Sequence, residues 1–400
     1  MDNLHAIQST FGDEAMSDTG NPEPGRWNFG LSAADEARAA RLHQDCIIVD
    51  GMHQHPGGPG IFAELPADEV EKISAGTDFT ALGLGQALPY RLCLEGKSDV
   101  VRRWWQQSGM DVGTLLVPTS PAMKGWGDAL SLLHNFDWIK PVTTVAEIRR
   151  NKKLGIISLW GYDQPVFGIP NSLEYIEDAY RRGLRTLMLT YNRMDYVGAG
   201  CTERYDIGLS MYGIEVVRKC NELGIIVDTS HCGRQTTLDA CEFSSTPVIA
   251  NHAAAKGVYA HRRGKSDEEL QAIAASGGLI GIVVVPSYVS ADPDASIEHM
   301  LDHVDYVARR VGWQHVGLGT DWPMQNPPKL LARTLGPEVA AQIGFRANDR
   351  VVTDMMLRGF RDYRDCPNIT RGLVKRGYSD EQIAGILGEN HLRVMERVCG

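Results

Sequence analysis

Eight short apolar runs rich in β-branched residues recur along the chain, with helix-forming stretches between them. The runs are nearly continuous in hydrophobicity, which is typical of strands that helices cover on both faces. They therefore predict parallel strands joined by crossover helices, and eight such units predict a closed (β/α)8 barrel of the α/β class. The predicted strands are 46–52, 112–118, 154–160, 184–190, 225–230, 247–251, 279–285 and 316–320.

An open doubly wound sheet is the alternative arrangement, because its strands have the same character. Such a sheet binds nucleotides through a glycine-rich loop after its first strand. No loop of that kind follows residues 49–51. The barrel is therefore the favoured fold.

Several predicted helices carry start signals of their own. Ser266 is followed three residues later by Glu269, and Ser379 by Gln382, which is the spacing of a capping box. These pairs predict helices that begin just after each serine.

Two segments interrupt the regular succession of strands and helices. Residues 1–37 are polar and predict a loosely ordered tail, which leaves 38–400 as a single barrel domain with C-terminal helices. The connection 53–97, after the first strand, is unusually long. Long connections at that end of a barrel build active sites.

Composition narrows the function classes. The formal net charge is −10 at pH 7, which argues against binding nucleic acid through phosphates and favours a small-molecule substrate. The first 29 residues lack the pattern of a secretion signal, and no segment is apolar for the roughly 18 residues that a spanning helix needs. We therefore expect a soluble, cytoplasmic protein. Its eight cysteines should be reduced and mostly buried. Cys232, next to His231, is a possible metal ligand, but packing is the favoured explanation for it.

Polar side chains capable of metal chemistry stand at the ends of the predicted strands. In a barrel these ends converge on one mouth, where imidazoles and a carboxylate can hold an ion such as zinc with an open position for water. Each histidine could alternatively be a packed structural residue. The strand-end residues are His53, His55, Trp160, Tyr191, His231, His252 and Asp321.

Four segments carry a resemblance to the membrane (renal) dipeptidase family, peptidase family M19, whose members are amidohydrolase-type barrels. Residues 224–231 (GIIVDTSH) and 246–263 (TPVIANHAAAKGVYAHRR) look like its two histidine segments. Residues 316–322 (VGLGTDW) resemble the segment with its catalytic aspartate, and 388–395 (GENHLRVM) its C-terminal motif. The resemblance extends from about residue 45 to 398.

The resemblance implies roles for four residues. His231 and His252 match zinc ligands, Arg263 matches the arginine that binds the substrate carboxylate, and Asp321 matches the acid/base residue. Arginine suits a carboxylate because it donates two parallel hydrogen bonds. A surface ion pair with Asp267 is the alternative for Arg263.

The first strand departs from the family pattern D-G-H-N-D-x-P. Aligned without a gap, Met52 and Gln54 occupy the two ligand positions. Side chains alternate along a strand, so His53 and His55 face the metal only if a one-residue bulge turns them. We favour the bulge, which gives an H-x-H pair.

Two further family positions have changed, and both suggest one ion instead of two. Trp160 replaces the carboxylate that bridges two zincs, and Tyr191 replaces a substrate-side histidine. Two close cations without a bridging carboxylate repel each other, so we expect one zinc or similar divalent ion. The predicted ligands are His53, His55, His231, His252 and Asp321, and the predicted substrate-binding residues are Arg263, Tyr191 and Trp160.

The leading functional hypothesis is a metal-dependent hydrolase that cleaves a dipeptide or similar small amide with a free carboxylate. A second keeps the barrel and metal but has the enzyme tailor a metabolite by deamination, decarboxylation or another hydrolysis. A third is a metal-free pseudoenzyme or binding protein. The resemblance also implies a homodimer.

Overall fold

Ten strands, all in parallel pairings, form the centre of the described structure. The computed structural model describes residues 27–53, 68, 92–116, 135–165, 173–321, 341, 344–346, 349 and 357–400, with the backbone alone at 115–116 and 157–165. The strands are β1 (Val49–His53), β2 (Val112–Leu116), β3 (Ile139–Val142), β4 (Ile157–Pro165), β5 (Thr186–Met188), β6 (Ile226–Asp228), β7 (Val248–Ala255), β8 (Gly264–Lys265), β9 (Leu279–Ile282) and β10 (Val316–Leu318).

Eight of these strands pair in a closed ring. The order is β1, β2, β4, β5, β6, β7, β9 and β10, and β10 pairs again with β1. The (β/α)8 barrel and its eight predicted strands are confirmed. β3 pairs beside β4, and β8 pairs with β7. Neither was predicted, because β8 has only two residues and β3 contains a proline that removes a ladder donor.

Helices follow most of the strands and cover the ring. Both predicted capping boxes are present. Ser266 and Glu269 are bonded reciprocally at the start of the helix Asp267–Ala275, and Ser379 and Gln382 at the start of the helix Asp380–Ala384. The helices of the described residues are α1 (Ala33–Asp45), α2 (Val100–Ser108), α3 (Val145–Lys153), α4 (Leu173–Arg181), α5 (Met211–Leu223), α6 (Arg234–Phe243), α7 (Asp267–Ala275), α8 (Pro286–Val289), α9 (Ile297–Val311), α10 (Pro367–Lys375), α11 (Asp380–Ala384) and α12 (Asn390–Cys399).

The inside of the ring is a packed core. Side chains of α12, among them Leu392 and Met395, form one apolar cluster with Val49 and Ile226 of the strands. A cavity of only about 10 Å³ remains among strand and α12 residues. The barrel is therefore filled, as this fold requires, and its chemistry must lie at the strand ends.

The N-terminal part of the described chain packs on the barrel. Phe29 is buried, α1 begins at Ala33, and the Ser32 hydroxyl accepts a hydrogen bond from the Asp35 backbone N–H. The predicted domain boundary at residue 37 thus falls within α1. Residues 1–26, and all but a few residues of the predicted long connection 53–97, lie outside the described residues.

The cysteines and the helix lengths bear on the predicted environment. All eight cysteines are free thiols, which agrees with the expectation of reduced side chains. Cys232 is buried and accepts a hydrogen bond from the Thr190 hydroxyl at 3.3 Å. Burial raises its pKa to about 12, so it packs as a neutral thiol. Within the described ranges, no helix is long and apolar enough to cross a bilayer.

Candidate active site

Three of the predicted strand-end residues have rings in direct contact. Tyr191 follows β5, His231 follows β6, and His252 lies within β7. The ring of Tyr191 stacks on that of His231 with a centroid separation of 4.3 Å, and the rings of His231 and His252 are 5.0 Å apart. Parallel neighbouring strands thus bring the two imidazoles together.

An asparagine orients each imidazole. Nδ1 of His231 lies 2.7 Å from Oδ1 of Asn192, and Nδ1 of His252 is hydrogen-bonded to Oδ1 of Asn251. An amide oxygen only accepts, so Nδ1 carries the proton in both rings and Nε2 keeps its lone pair. Nε2 of His252 is buried without a hydrogen-bond partner. Both histidines are in the tautomer that binds a metal through Nε2.

Both histidines are held neutral. Burial lowers the pKa of His231 and of His252 well below the ordinary value, and the positive charge of Arg263 lowers both further. A neutral imidazole is the form that coordinates a cation. The pair can therefore ligate an ion without first losing a proton.

Arg263 is buried beside the two histidines. It directly precedes β8, is only 1% exposed, and donates hydrogen bonds to the backbone oxygens of Ser230 and His252. The alternative pairing with Asp267 does not occur, because Asp267 contacts Arg310 and the Tyr306 hydroxyl. Arg263 thus occupies the mouth and not the surface.

The charge of Arg263 lacks an acidic ion-pair partner within the described residues. Its guanidinium carbon lies 5.5 Å from the centre of the Tyr288 ring, and its Nε has no hydrogen-bond partner. A buried cation that no carboxylate contacts directly is costly, although the Asp321 carboxylate, which raises the pKa of Arg263, offsets part of that cost. The arrangement is therefore suited to an anionic ligand.

Asp321 faces the same site in an unusual backbone conformation. Burial raises the pKa of Tyr191, and the Asp321 carboxylate raises it further. Burial raises the pKa of Tyr288 and the same carboxylate raises it further; burial lowers the pKa of Arg263, and the carboxylate acts against that lowering. Asp321 has φ 54°, and among the described residues no other non-glycine residue has a positive φ. Strained residues of this kind cluster at functional sites.

His53 is placed differently from our expectation. The predicted bulge is present, since β1 and β2 shift register between Asp50 and His53. Asp50 pairs with Gly113 and His53 with Leu115, two residues later, so His53 shares the face of Asp50. Its Nδ1 lies 3.0 Å from the Asp50 carboxylate. The bulge turns His53 toward Asp50 instead of toward the histidine pair.

Two predicted site residues lie wholly or partly outside the described residues. His55 lies outside the described residues, and Trp160 lies in β4 with its side chain outside them. Their assignments stay predictions.

The residues present fit a metal ion in part. His231 and His252 offer two neutral donors, and the buried, unpartnered Nε2 of His252 is a free lone pair. Within the described ranges, no group of three His, Cys, Asp or Glu side chains could hold an ion. The described members of the predicted ligand set therefore do not converge as one site, and a third protein ligand has to come from outside them.

Sequence reasoning missed three residues of this site. Asn192 and Asn251 set the histidine tautomers, and Tyr288 of α8 faces Arg263. Asn192 follows Tyr191 and Asn251 precedes His252, so proximity to the strand ends was the available signal. Tyr288 follows the predicted strand 279–285 by three residues, so the same signal was available for it.

The free energy of unfolding should depend on pH because of Asp195, which lies in the segment after β5. Burial raises the pKa of Asp195 to about 6 from an ordinary 3.8. An acid whose pKa is raised by folding stabilises the fold only while it is protonated, so stability falls as pH rises from about 4 to 6. Asp195→Asn should remove this loss, worth up to about 3 kcal/mol. Urea unfolding at pH 4 and pH 8 measures it, and an unchanged difference between the two pH values would contradict the prediction.

Comparison with known proteins agrees with this geometry. The family model for membrane dipeptidase (peptidase family M19) matches residues 131–336 and 340–399. Dipeptidase tcpJ of Claviceps purpurea is 26% identical over 312 residues, which are 77% of this chain and 65% of that protein. Dipeptidase verJ of Clonostachys rogersoniana is 30% identical over 232 residues, 58% of this chain and 52% of that protein. The chain thus spans less than two thirds of either relative.

A solved structure extends the comparison to nearly the whole chain. An amidohydrolase from Pseudomonas aeruginosa superimposes with a TM-score of 0.70 at 25% identity, covering 90% of this chain and 99% of that chain. The fold, the strand-end histidines and the family match agree. The chain belongs to the membrane dipeptidase family, peptidase family M19.

Proposed function

We propose that the chain is a metal-dependent hydrolase of small amides, with a dipeptide bearing a free carboxylate as its substrate class. The observation that carries this proposal is the combination at the mouth of two neutral imidazoles with a buried arginine that forms no ion pair with an acidic side chain among the described residues. The names of the two related dipeptidases and the family match support the same activity.

His231 and His252 would hold one divalent cation through Nε2, with His55 as the predicted third ligand. Such an ion, when bound, polarises a carbonyl and lowers the pKa of water. Asn192 and Asn251 keep the lone pairs directed into the site. Hydrogen bonds of this kind commonly change metal affinity by about 10- to 100-fold.

Arg263 would bind the substrate carboxylate. Two of its five N–H groups are given to the Ser230 and His252 oxygens, which leaves three for a ligand. Tyr288 packs on the guanidinium and limits where it can move. The carboxylate would then lie beside the imidazole pair, which places the neighbouring amide bond over the catalytic residues.

Asp321 would transfer the proton. A carboxylate at the mouth can accept a proton from the attacking water and return it to the departing nitrogen. Its partly exposed position lets it reach a bound ligand. Tyr191, with its pKa raised by burial, stays a neutral hydroxyl that can donate a hydrogen bond to the amide oxygen.

A matched pair of substrates tests the proposal. Purified full-length protein supplied with Zn²⁺ should hydrolyse a set of dipeptides. It should hydrolyse the same dipeptides with an amidated C-terminus at least about 100-fold more slowly, because the buried guanidinium of Arg263 then lacks its carboxylate partner. Hydrolysis of neither series would overturn the proposed function. Equal rates for both would overturn the role of the carboxylate.

Arg263→Lys should impair acidic substrates most. Lysine retains the charge but cannot give a planar pair of hydrogen bonds, so kcat/KM for free dipeptides should fall by about 10- to 100-fold. The rate for the amidated series should change much less. A similar loss for both series would show that Arg263 acts mainly by holding the backbone of Ser230 and His252.

One observation favours a second function, a metal-free binding protein for small carboxylates. Within the described residues only two histidine donors come together. Such a protein would bind dipeptides through Arg263 and leave them intact. Binding of dipeptides measured by calorimetry, with no hydrolysis and no bound metal, would support this function.

A further inference from the structure

A buried hydrogen-bond cluster joins β1 to the end of β10. The fully buried Asp50 carboxylate accepts the Thr320 backbone N–H at 2.8 Å and the Thr320 hydroxyl at 2.6 Å. Nδ1 of His53 lies 3.0 Å from the oxygen that accepts the hydroxyl. One carboxylate thus binds both donors of Thr320, two residues beyond the end of β10.

The cluster continues into the backbone of Asp321. The Asp321 N–H donates to the Met52 oxygen at 2.9 Å, and the two strands have their ladder pairing at Asp50 and Leu318. Beyond that pairing, the Asp50 side chain binds Thr320, and the backbone bond from Asp321 to Met52 follows it. These bonds fix the Thr320 peptide immediately before the residue whose φ is 54°.

His53 braces the carboxylate from the other side. Its ring lies 4.0 Å from that of Tyr363 and 5.0 Å from that of Trp105, centre to centre. The imidazole is 1% exposed, so it has little room to turn. This packing holds the Nδ1 proton against Asp50.

We infer that Asp50 and Thr320 are positioning residues that hold Asp321 in its left-handed conformation at the mouth, and that His53, whose Nε2 is buried without a hydrogen-bond partner, acts by supporting Asp50. The backbone part stands on geometry alone. Its consequence for turnover rests on the proposed role of Asp321 as the proton-transfer group.

Denaturant unfolding tests the backbone part without any assay of activity. Asp321→Gly and Asp321→Ala both remove the side chain and differ in tolerance of positive φ. The glycine variant should unfold at higher urea than the alanine variant. In Thr320→Val proteins, which lack the hydroxyl bonded to Asp50, this difference should shrink or reverse. An unchanged difference would overturn the positioning role.

Kinetics test the consequence for turnover, and metal analysis tests the role of His53. Thr320→Val should lower kcat by about 10- to 100-fold, the cost of a misplaced catalytic group, with KM and metal content unchanged. Thr320→Ser keeps the hydroxyl and should restore most of the rate. His53→Gln should keep the metal content of the parent protein, and its loss would show that His53 is a ligand. If the parent protein has no hydrolase activity, the proposed function fails while the unfolding comparison still decides the backbone part.

Discussion

Asp321→Asn is expected to fold normally and to lose kcat by a factor of about 10²–10⁴, the usual cost of removing a general acid/base. Asparagine nearly preserves the shape and also tolerates the positive φ of 54° at this position. The substitution therefore removes proton transfer with little change of backbone. Steady-state kinetics with a free dipeptide and elemental analysis of the same sample measure the two effects.

The metal content of the variant distinguishes two explanations for a loss of rate. Unchanged content with a low kcat identifies Asp321 as the proton-transfer group, whereas lost metal would make it a ligand as well. Near-normal turnover by a folded, metal-loaded variant would contradict the role of Asp321 in proton transfer.

His252→Ala should abolish metal retention and lower kcat/KM by at least about 100-fold, because it removes one of the two neutral donors at the mouth. Metal content after dialysis and kcat/KM on the same preparation are the measurements.

His303→Ala is the matched control. His303 is also fully buried, but both its nitrogens are used, by the Ala255 N–H at 2.9 Å and the Val289 oxygen at 3.0 Å. Its loss should cost roughly 1–3 kcal/mol of stability and leave metal content in the folded fraction unchanged. Equal metal loss in both variants would mean that His252 is only structural.

The fold was largely predictable because each barrel strand is an apolar run that is buried on both faces. Val248–Ala255 is buried throughout, and its hydrophobic pattern carried that information locally. The strand-end rule then located His231 and His252 at one mouth. The local sequence did not predict β3, because its proline is unfavourable within a strand, although β3 pairs beside β4.

The orientation of His53 could not be predicted from its neighbours in sequence. A bulge was foreseeable, but the face to which it turns the ring depends on Asp50, Trp105 and Tyr363, and the last two lie far away along the chain. Asn192 and Asn251 were missed for a related reason. A neutral amide has no distinctive chemistry until its distance to an imidazole is known.

Elemental analysis of untagged full-length protein, purified without chelator and dialysed, tests the central claim most directly. The account predicts about one equivalent of zinc or a similar divalent ion, together with hydrolysis of dipeptides that bear a free carboxylate. Two tightly held equivalents would contradict the mononuclear site. No metal, and no turnover when Zn²⁺ is added, would contradict the hydrolase and favour the binding protein.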